Sequence, residues 1–362
     1  SPHLPALQVV LPLLSAPICV LMHRAYPAWL LSLVASWVSF AIAIILLTKV
    51  LNGDPIIYLL GDWAAPWGIE YKVDILSAFV LVLVSGTGSI IMVFAPRSLA
   101  SEVPEDRIYL FYTMYLLTLA GLLGMTITGD AFNLFVFLEI SSLSTYVMIS
   151  LGNSKRALTS AFRYLILGTI GATFYVIGVG LMYQMTGTLN MADLSVRLPA
   201  VSETRTILVA IGFLTAGIGL KLGLFPIHGW LPNVYTFAPS VVTAFLAATA
   251  TKVAVYVLLR IYFTVLGVRA FENLPIDEAL LFLGVIAILS MSIVAIYQTN
   301  AKRLLAYSSV AQIGYIIIGI NLLTTTGIAA GILHVFNHAL IKATLFLSLA
   351  CIFYRVKSTK ID

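Results

Sequence analysis

Apolar residues in this chain fall in blocks of about twenty, the length of a membrane-crossing helix, rather than alternating or recurring along one helical face. The blocks lie near 4–21, 29–51, 75–95, 108–128, 132–151, 162–185, 207–225, 240–266, 279–297, 304–323 and 327–354. The pattern predicts an all-α polytopic membrane protein with about eleven transmembrane helices. The first block runs to Arg24 without a small-residue cleavage site, so it reads as a first span and not as a secretory signal. The last block is too long for a simple straight span.

Breaker residues separate the blocks, as in GDWAAPWG at 61–68, APRSLASEVPED at 95–106 and SVRLPAVSET at 195–204. None of these segments is long enough for a soluble domain. The stretch FPIHGWLPNVYTFAP at 225–239 carries Pro226, Pro232 and Pro239, which rule out a continuous helix and predict that the seventh span ends in a broken or re-entrant piece. Such backbone survives at membrane depth where protein or a water-filled cavity satisfies its polar groups.

Composition sharpens this reading. Sixty per cent of the residues are hydrophobic and 10% charged, against roughly 25% charged in a soluble domain, so a water-soluble fold is excluded. The net charge of +5 is spread singly or in pairs between spans, which marks topology and argues against a nucleic-acid partner. One set of alternate connectors holds Arg24, Arg97, Arg107, Lys155, Arg156, Lys302, Arg303, Arg355, Lys357 and Lys360, and the other holds Lys49, Lys72, Arg197, Arg205 and Arg269. The richer set belongs on the cytoplasmic side of a cell membrane, with the N-terminus outside and residue 362 inside. Cys19 and Cys351 sit in separate apolar runs without a disulfide or ligand spacing. No phosphate loop, activated nucleophile, haem or iron–sulfur motif is present, so no cofactor or metal is expected.

The candidate chemistry lies in the few charges within the apolar blocks. Of the acidic residues, Glu139 in NLFVFLEISSLSTYVMIS stands well inside a span, where a charged group costs about 2.5–3.5 kcal/mol on insertion scales and therefore faces protein or a wet cavity. A protonated acid serving helix packing is the bland alternative. Lys221, in AGIGLKLGLFPIHGW, precedes the prolines, and Gly217, Gly219 and Gly223 around it allow close helix approach and unwinding that frees carbonyls for an ammonium. Its alternative is snorkelling to the nearer interface. Lys252, in FLAATATKVAVYVLL, is too deep for that. In HVFNHALIKATLF, His334, His338 and Lys342 follow at i, i+4 and i+8 on one helix face, and imidazole suits a relay between lysines. The His pair also admits a metal or a structural hydrogen-bonding role, though no matching carboxylate or thiolate accompanies it. His228 in the proline-broken stretch reads equally as a gate, a relay or an interfacial residue. Asp74 opens the third span, where negative charge favours a helix N-terminus.

The runs NLFVFLEISSLSTYV, GLKLGLFPIHGWLPNVY, ATATKVAVY, KRLLAYSSVAQIGY and HVFNHALIKATLF together resemble the proton-conducting subunits shared by respiratory complex I and the multisubunit Mrp cation/proton antiporters, and SSVAQIGY and LEISSL are most similar to the Mrp D subunit. The resemblance implies a fourteen-helix fold with two inverted repeats and a broken seventh helix. It implies N-terminal helices 1–3 over residues 1–107, a first repeat of helices 4–8 over 108–266, and an incomplete second repeat of helices 9–11 over 267–362. The missing broken twelfth helix belongs either to a longer subunit or to another chain. By resemblance Glu139 and Lys221 form a coupling pair, Lys252 is the eighth-helix lysine, and His334, His338 and Lys342 form the lateral relay. The implied partners are other hydrophobic subunits of a hetero-oligomeric membrane complex, and the implied cargo is protons with sodium or potassium. Two rival readings are a proton-pumping subunit of a redox-driven complex and a structural scaffold with vestigial charges.

Overall fold

The computed structural model describes residues 2–267 and 276–361. Arg269, one of the connector cations, and Asp362, the expected cytoplasmic end, lie outside the described residues. Eleven helices among the described residues are long and apolar enough to cross a membrane. The first two are α1 (Leu4–Met22) and α2 (Ala25–Leu51), followed by a hairpin of β1 (Ile56–Leu59) and β2 (Glu70–Val73) that pairs Ile56 with Val73 and Leu59 with Glu70. Then come α3 (Ile75–Glu102), α4 (Ile108–Ile127), α5 (Ala131–Ser150) and α6 (Lys155–Thr186). A short α7 (Met191–Arg197) leads to α8 (Arg205–Leu222), and a second short helix, α9 (Leu231–Phe237), follows an irregular stretch. The eighth span is composite, with α10 (Ser240–Ala248), α11 (Ala250–Leu259) and a π-helical turn over Arg260–Leu266. The chain continues with α12 (Ile276–Ile296), α13 (Ala301–Asn321) and α14 (Thr325–Val356).

These bounds follow the apolar blocks because in a membrane a helix satisfies its own backbone where nothing else can. The final block forms one uninterrupted helix of 32 residues, about 48 Å at 1.5 Å per residue, well beyond the thickness of a hydrocarbon core. The composite eighth span is the centre of the bundle. Of its most apolar window 94% is buried, against 28% for both α12 and α14. Around it α3, α10 and α14 pack together, α6 pairs with α8, and α12 pairs with α13.

The seventh span breaks where the prolines and glycines predict. Gly223 ends α8 with φ +76°, a left-handed cap that a side chain rarely adopts. Pro232 sits in the first turn of α9, where its missing N–H costs nothing, and Pro239 immediately precedes α10. The irregular segment is held rather than loose. Leu224 N–H returns to the Gly219 carbonyl at 2.9 Å, and Trp230 Nε1 donates to the Leu220 carbonyl at 2.8 Å.

The break in the eighth span is one that the expected continuous helix over 240–266 does not contain. Thr249 has φ −122° and ψ −57°, and its hydroxyl donates to the Phe245 carbonyl at 2.6 Å. A threonine hydroxyl competing for a helix carbonyl is a local cause of bending that leaves no proline or glycine as a signal.

Both ends of α3 are tied to the eighth span, one by an ion pair and the other by hydrogen bonds. Asp74 caps α3 with Ser77 in a reciprocal capping box and pairs with the Arg260 guanidinium. Burial opposes ionisation of Asp74, yet Arg260 and the Ser77 amide outweigh it and hold the carboxyl below the usual carboxylate range. Arg260 also donates to Tyr256 Oη at 2.8 Å, and that hydroxyl donates to the Thr126 carbonyl at 2.6 Å. At the other end Glu102 meets Ser240 and Lys302.

The close approach of α6 and α8 generates a test. A Cβ at Gly217 would lie 2.6 Å from the Gly171 carbonyl oxygen and 2.8 Å from the Tyr175 nitrogen, both backbone atoms that cannot swing away. Gly217→Ala is expected to destabilise the detergent-solubilised protein by about 1–3 kcal/mol, as overpacking does. Gly180→Ala, where a Cβ meets nothing within 4 Å, should leave it unchanged or slightly stabilised. Thermal unfolding of the two variants side by side is the measurement.

Candidate functional site

The intramembrane charges gather into two clusters on either side of α11. The first lies between α5, α6 and α8. Glu139, Ser142 and Tyr146 occupy positions i, i+3 and i+7 of α5, one face of that helix. Lys221 Nζ, from the last turn of α8, donates to Ser142 Oγ at 2.5 Å and to Tyr146 Oη at 3.1 Å. Its ammonium also lies 5.6 Å and 5.9 Å from the ring centroids of Tyr146 and Tyr164. Tyr164 stacks on Trp230 at 4.0 Å, so the broken segment that releases α8 also builds the aromatic wall around its lysine.

Two sequence expectations change here. Glu139 and Lys221 do not form a direct ion pair, because the lysine reaches Ser142 one turn along α5 instead. Glu139 Oε1 is buried and has no hydrogen-bond partner among the described residues, although its charge remains within electrostatic reach of Lys221. Nor do unwound carbonyls solvate Lys221. The Gly219 and Leu220 carbonyls at the end of α8 are taken by Leu224 and Trp230.

The released carbonyl appears instead at Lys252. Its side chain is 1% exposed. Nζ donates to the Ala247 carbonyl, which the Thr249 interruption frees, and to Thr251 Oγ1 at 3.2 Å. This is the second cluster, completed by α13 and α14. Lys342, also 1% exposed, donates to the Leu305 carbonyl at 2.9 Å and to Ser308 Oγ at 3.1 Å. His338, equally buried, has both ring nitrogens without a hydrogen-bond partner among the described residues, and it lies within electrostatic reach of Lys252 and Lys342. The His334 ring stands parallel to it at 6.2 Å and shares a 2.7 Å hydrogen bond with Gln312 Oε1. Sequence therefore places three members of this cluster on one face of α14, and the fold brings Lys252 to them.

A cavity of about 40 Å³ lies between the first cluster and α11, with Ser141, Ser142, Thr145, Tyr164 and Lys221 on one side and Ala250, Ala254 and Val257 on the other. The volume suits a water or two, and the hydroxyls supply the polar partners such water needs. Small residues at Ala250 and Ala254 leave this space on the face of α11 opposite Lys252. His228 joins neither cluster. Its ring stacks on Phe225 at 5.4 Å, and Nδ1 is buried without a hydrogen-bond partner among the described residues. Among the described residues no group of three or more His, Cys, Asp or Glu side chains is arranged to hold a metal ion.

Sequence reasoning missed Ser142 and Tyr146, which are the acceptors for Lys221, and the buried pair Glu102–Lys302. Lys302 counts as a connector cation in the sequence, yet its side chain is 5% exposed and lies 3.8 Å from Glu102. The legible signal for Ser142 and Tyr146 is their helical spacing from Glu139; Glu102 and Lys302 give none, since residues at span ends ordinarily face water.

Lys252→Met preserves side-chain volume and removes a buried charge. Such a replacement leaves the buried Ala247 carbonyl without its donor, so it is expected to cost about 1–3 kcal/mol of folding free energy while abolishing any proton movement through the second cluster. Thermal unfolding of the purified protein, paired with flux in the intact assembly, checks both halves.

Comparison with known proteins places the chain. The family model for "NADH:quinone oxidoreductase/Mrp antiporter, TM" matches residues 128–362. The N subunit of an NADH-quinone oxidoreductase from Desulforudis audaxviator is 43% identical over 350 residues, which is 95% of this chain and 69% of that protein. The D subunit of a Na(+)/H(+) antiporter from Alkalihalophilus pseudofirmus is 33% identical over 301 residues, 82% of this chain and 59% of that protein. The chain thus spans between 59% and 69% of the length of these two relatives. Among solved structures, a chain of the membrane-bound sulfane sulfur reductase, an archaeal respiratory membrane complex, superposes with TM-score 0.91 at 28% identity, covering 99% of this chain and 73% of that one. A chain of the Mrp complex from a Dietzia species gives 0.90 at 26% identity, covering 99% and 66%. With most of its length matched to the family model and its charged helices arranged as described, this chain belongs to the NADH:quinone oxidoreductase/Mrp antiporter transmembrane family.

Proposed function

We propose that this chain is the proton-translocating membrane subunit of a multisubunit sodium- or potassium-proton antiporter. The single observation that carries the reading is the pair of buried amine clusters on either side of α11, with a small cavity between the first cluster and that helix whose largely apolar lining includes Ser141, Ser142, Thr145 and Tyr164. Ammonium groups this deep are costly to keep for structure alone, since apolar replacements of buried ions are commonly neutral or stabilising. Their retention supports transport and argues against a scaffold.

In this mechanism Lys221 holds a proton on Ser142 and Tyr146 under the influence of Glu139. Transfer by way of the cavity and past α11 passes it to Lys252, and charge on Lys252 displaces the proton that His338 or Lys342 carries. Glu139, Lys221 and Lys252 are the translocating groups; His334, His338 and Lys342 relay laterally; His228, apart from both clusters, is a gate at the broken segment. Residues 108–266 act as one repeat, residues 267–362 as part of a second, and residues 1–107 as helices outside both. The uneven distribution of Lys and Arg supports a cytoplasmic placement of the loops that carry Arg24, Arg107 and Arg156. The neighbouring folds in Mrp and sulfane sulfur reductase complexes support a hetero-oligomeric membrane assembly as partner.

A second reading makes the same clusters part of a redox-driven pump, and the 43% identity to the N subunit of an NADH-quinone oxidoreductase favours it. Cation-induced proton release in everted vesicles containing the native assembly separates the two. Sodium or potassium should collapse an imposed pH gradient in wild type, with the response reduced about tenfold or more in Glu139→Gln and abolished in Lys221→Ala at equal assembly. A wild type that answers to a reductant and quinone instead of to cations supports the redox-driven pump. Undiminished response in Lys221→Ala rules out the mechanism.

A further inference from the structure

Outside both clusters, Glu102 and Lys302 form a largely buried ion pair that has no part in this proton route. Glu102 ends α3, and its side chain is 10% exposed. Its Oε2 accepts from the backbone N–H of Ser240 at 2.9 Å and from Ser240 Oγ at 3.0 Å, while Oε1 accepts from Ser98 Oγ at 2.9 Å. Lys302 of α13 stands 3.8 Å from Oε2, reaches the Ala238 carbonyl at 3.4 Å and lies 5.5 Å from the Phe353 ring centroid.

Ser240 is the first residue of α10, and Pro239 before it provides no side-chain cap. The orphan N–H groups of a helix start need acceptors and favour an anion, and here the anion comes from another helix. The helix it caps is nine residues long with every residue buried, a rod of about 13 Å. At its far end the Thr249 interruption delivers the Ala247 carbonyl to Lys252. Close-packed interiors transmit displacement rather than absorb it, so what moves Ser240 moves Ala247. Lys302 also lies in the first turn of α13, whose first two turns or so supply the Leu305 carbonyl and Ser308 hydroxyl that hold Lys342.

We propose that Glu102 is a positioning residue for Lys252, acting through the half-helix Ser240–Ala248 with Lys302 as its counter-charge, an inference that rests on the proton-translocating reading. Neutralising Glu102 leaves Lys302 as a buried charge without its anion and weakens the hold on Ser240, so the Ala247 carbonyl no longer meets the Lys252 ammonium squarely. The effect falls on the rate of proton passage and not on recognition of the cation, which neither residue touches in this scheme.

The test uses the full assembly in everted vesicles, with turnover counted per assembled complex, together with amide hydrogen exchange over residues 240–252. Glu102→Gln is expected to reduce turnover about ten- to a hundredfold, the scale of a displaced catalytic geometry. The cation concentration at half-maximal rate should stay unchanged, and exchange over 240–252 should quicken. Glu102→Asp, which keeps the charge, should recover part of the rate. Wild-type turnover in Glu102→Gln, or lost turnover with unchanged exchange over 240–252, overturns the proposal. Where Glu102→Gln does not assemble, Ser240→Ala decides. It keeps the ion pair and drops one bond to the carboxylate, so it should shift rate and exchange in the same direction to a smaller extent, and wild-type values in it overturn the proposal. A wild type without cation- or redox-linked proton flux sinks the transport reading itself, and the exchange comparison then judges separately whether Glu102 holds the half-helix.

Discussion

The contact between the Lys252 ammonium and the Ala247 carbonyl is the interaction around which this bundle is arranged. An amine in an apolar interior needs acceptors that a regular helix cannot offer, because every interior carbonyl is already engaged. The chain resolves the conflict by interrupting the helix within one turn of the lysine. That interruption is tolerable only at the centre of the protein, where neighbours cover the exposed backbone, and the eighth span is the most buried of the eleven. At its two ends the Asp74–Arg260 ion pair and the Ser240 hydrogen bonds to Glu102 hold a span that no longer holds itself.

Lys221 shows a different answer to the same problem. There the helix ends outright, but its loose carbonyls are returned to Leu224 and Trp230, and the ammonium is satisfied by hydroxyls and aromatic faces from neighbouring helices. Hydroxyls donate as well as accept, so Ser142 and Tyr146 can remain bonded to the amine in either protonation state. A carbonyl accepts only. The two lysines therefore differ in what holds them, hydroxyls and aromatic faces at Lys221 against one freed backbone carbonyl and one hydroxyl at Lys252.

Much of this is legible in the sequence. Twenty-residue apolar blocks define the spans because the membrane permits few alternatives, and Pro226, Pro232 and Gly223 announce the break in the seventh. The helical spacing of His334, His338 and Lys342 is enough to place them together. What escapes is every feature that depends on a partner distant in the chain or on a local hydroxyl bond. Thr249 is an ordinary residue for a helix interior until its side chain competes for the Phe245 carbonyl. Glu102 and Lys302 resemble common interfacial charges until α3 and α13 converge on α10. Glu139 and Lys221 are expected to touch, and the intervening Ser142 is a matter of one helical turn that spacing cannot resolve.

The short helix between Glu102 and Lys252 behaves as a gauge block. Anchored at Ser240 and presenting the Ala247 carbonyl near its other end, it converts a count of residues into an alignment of atoms. One residue more or fewer would carry that carbonyl about 1.5 Å along the axis and about 100° around it. Ser240 answers to Glu102, Thr243 to the Tyr235 carbonyl and Phe245 to Tyr115, and the number of residues between the two ends fixes where the carbonyl falls. An insertion or deletion within the segment would thus misalign the Ala247 carbonyl and Lys252 even if every side chain were kept.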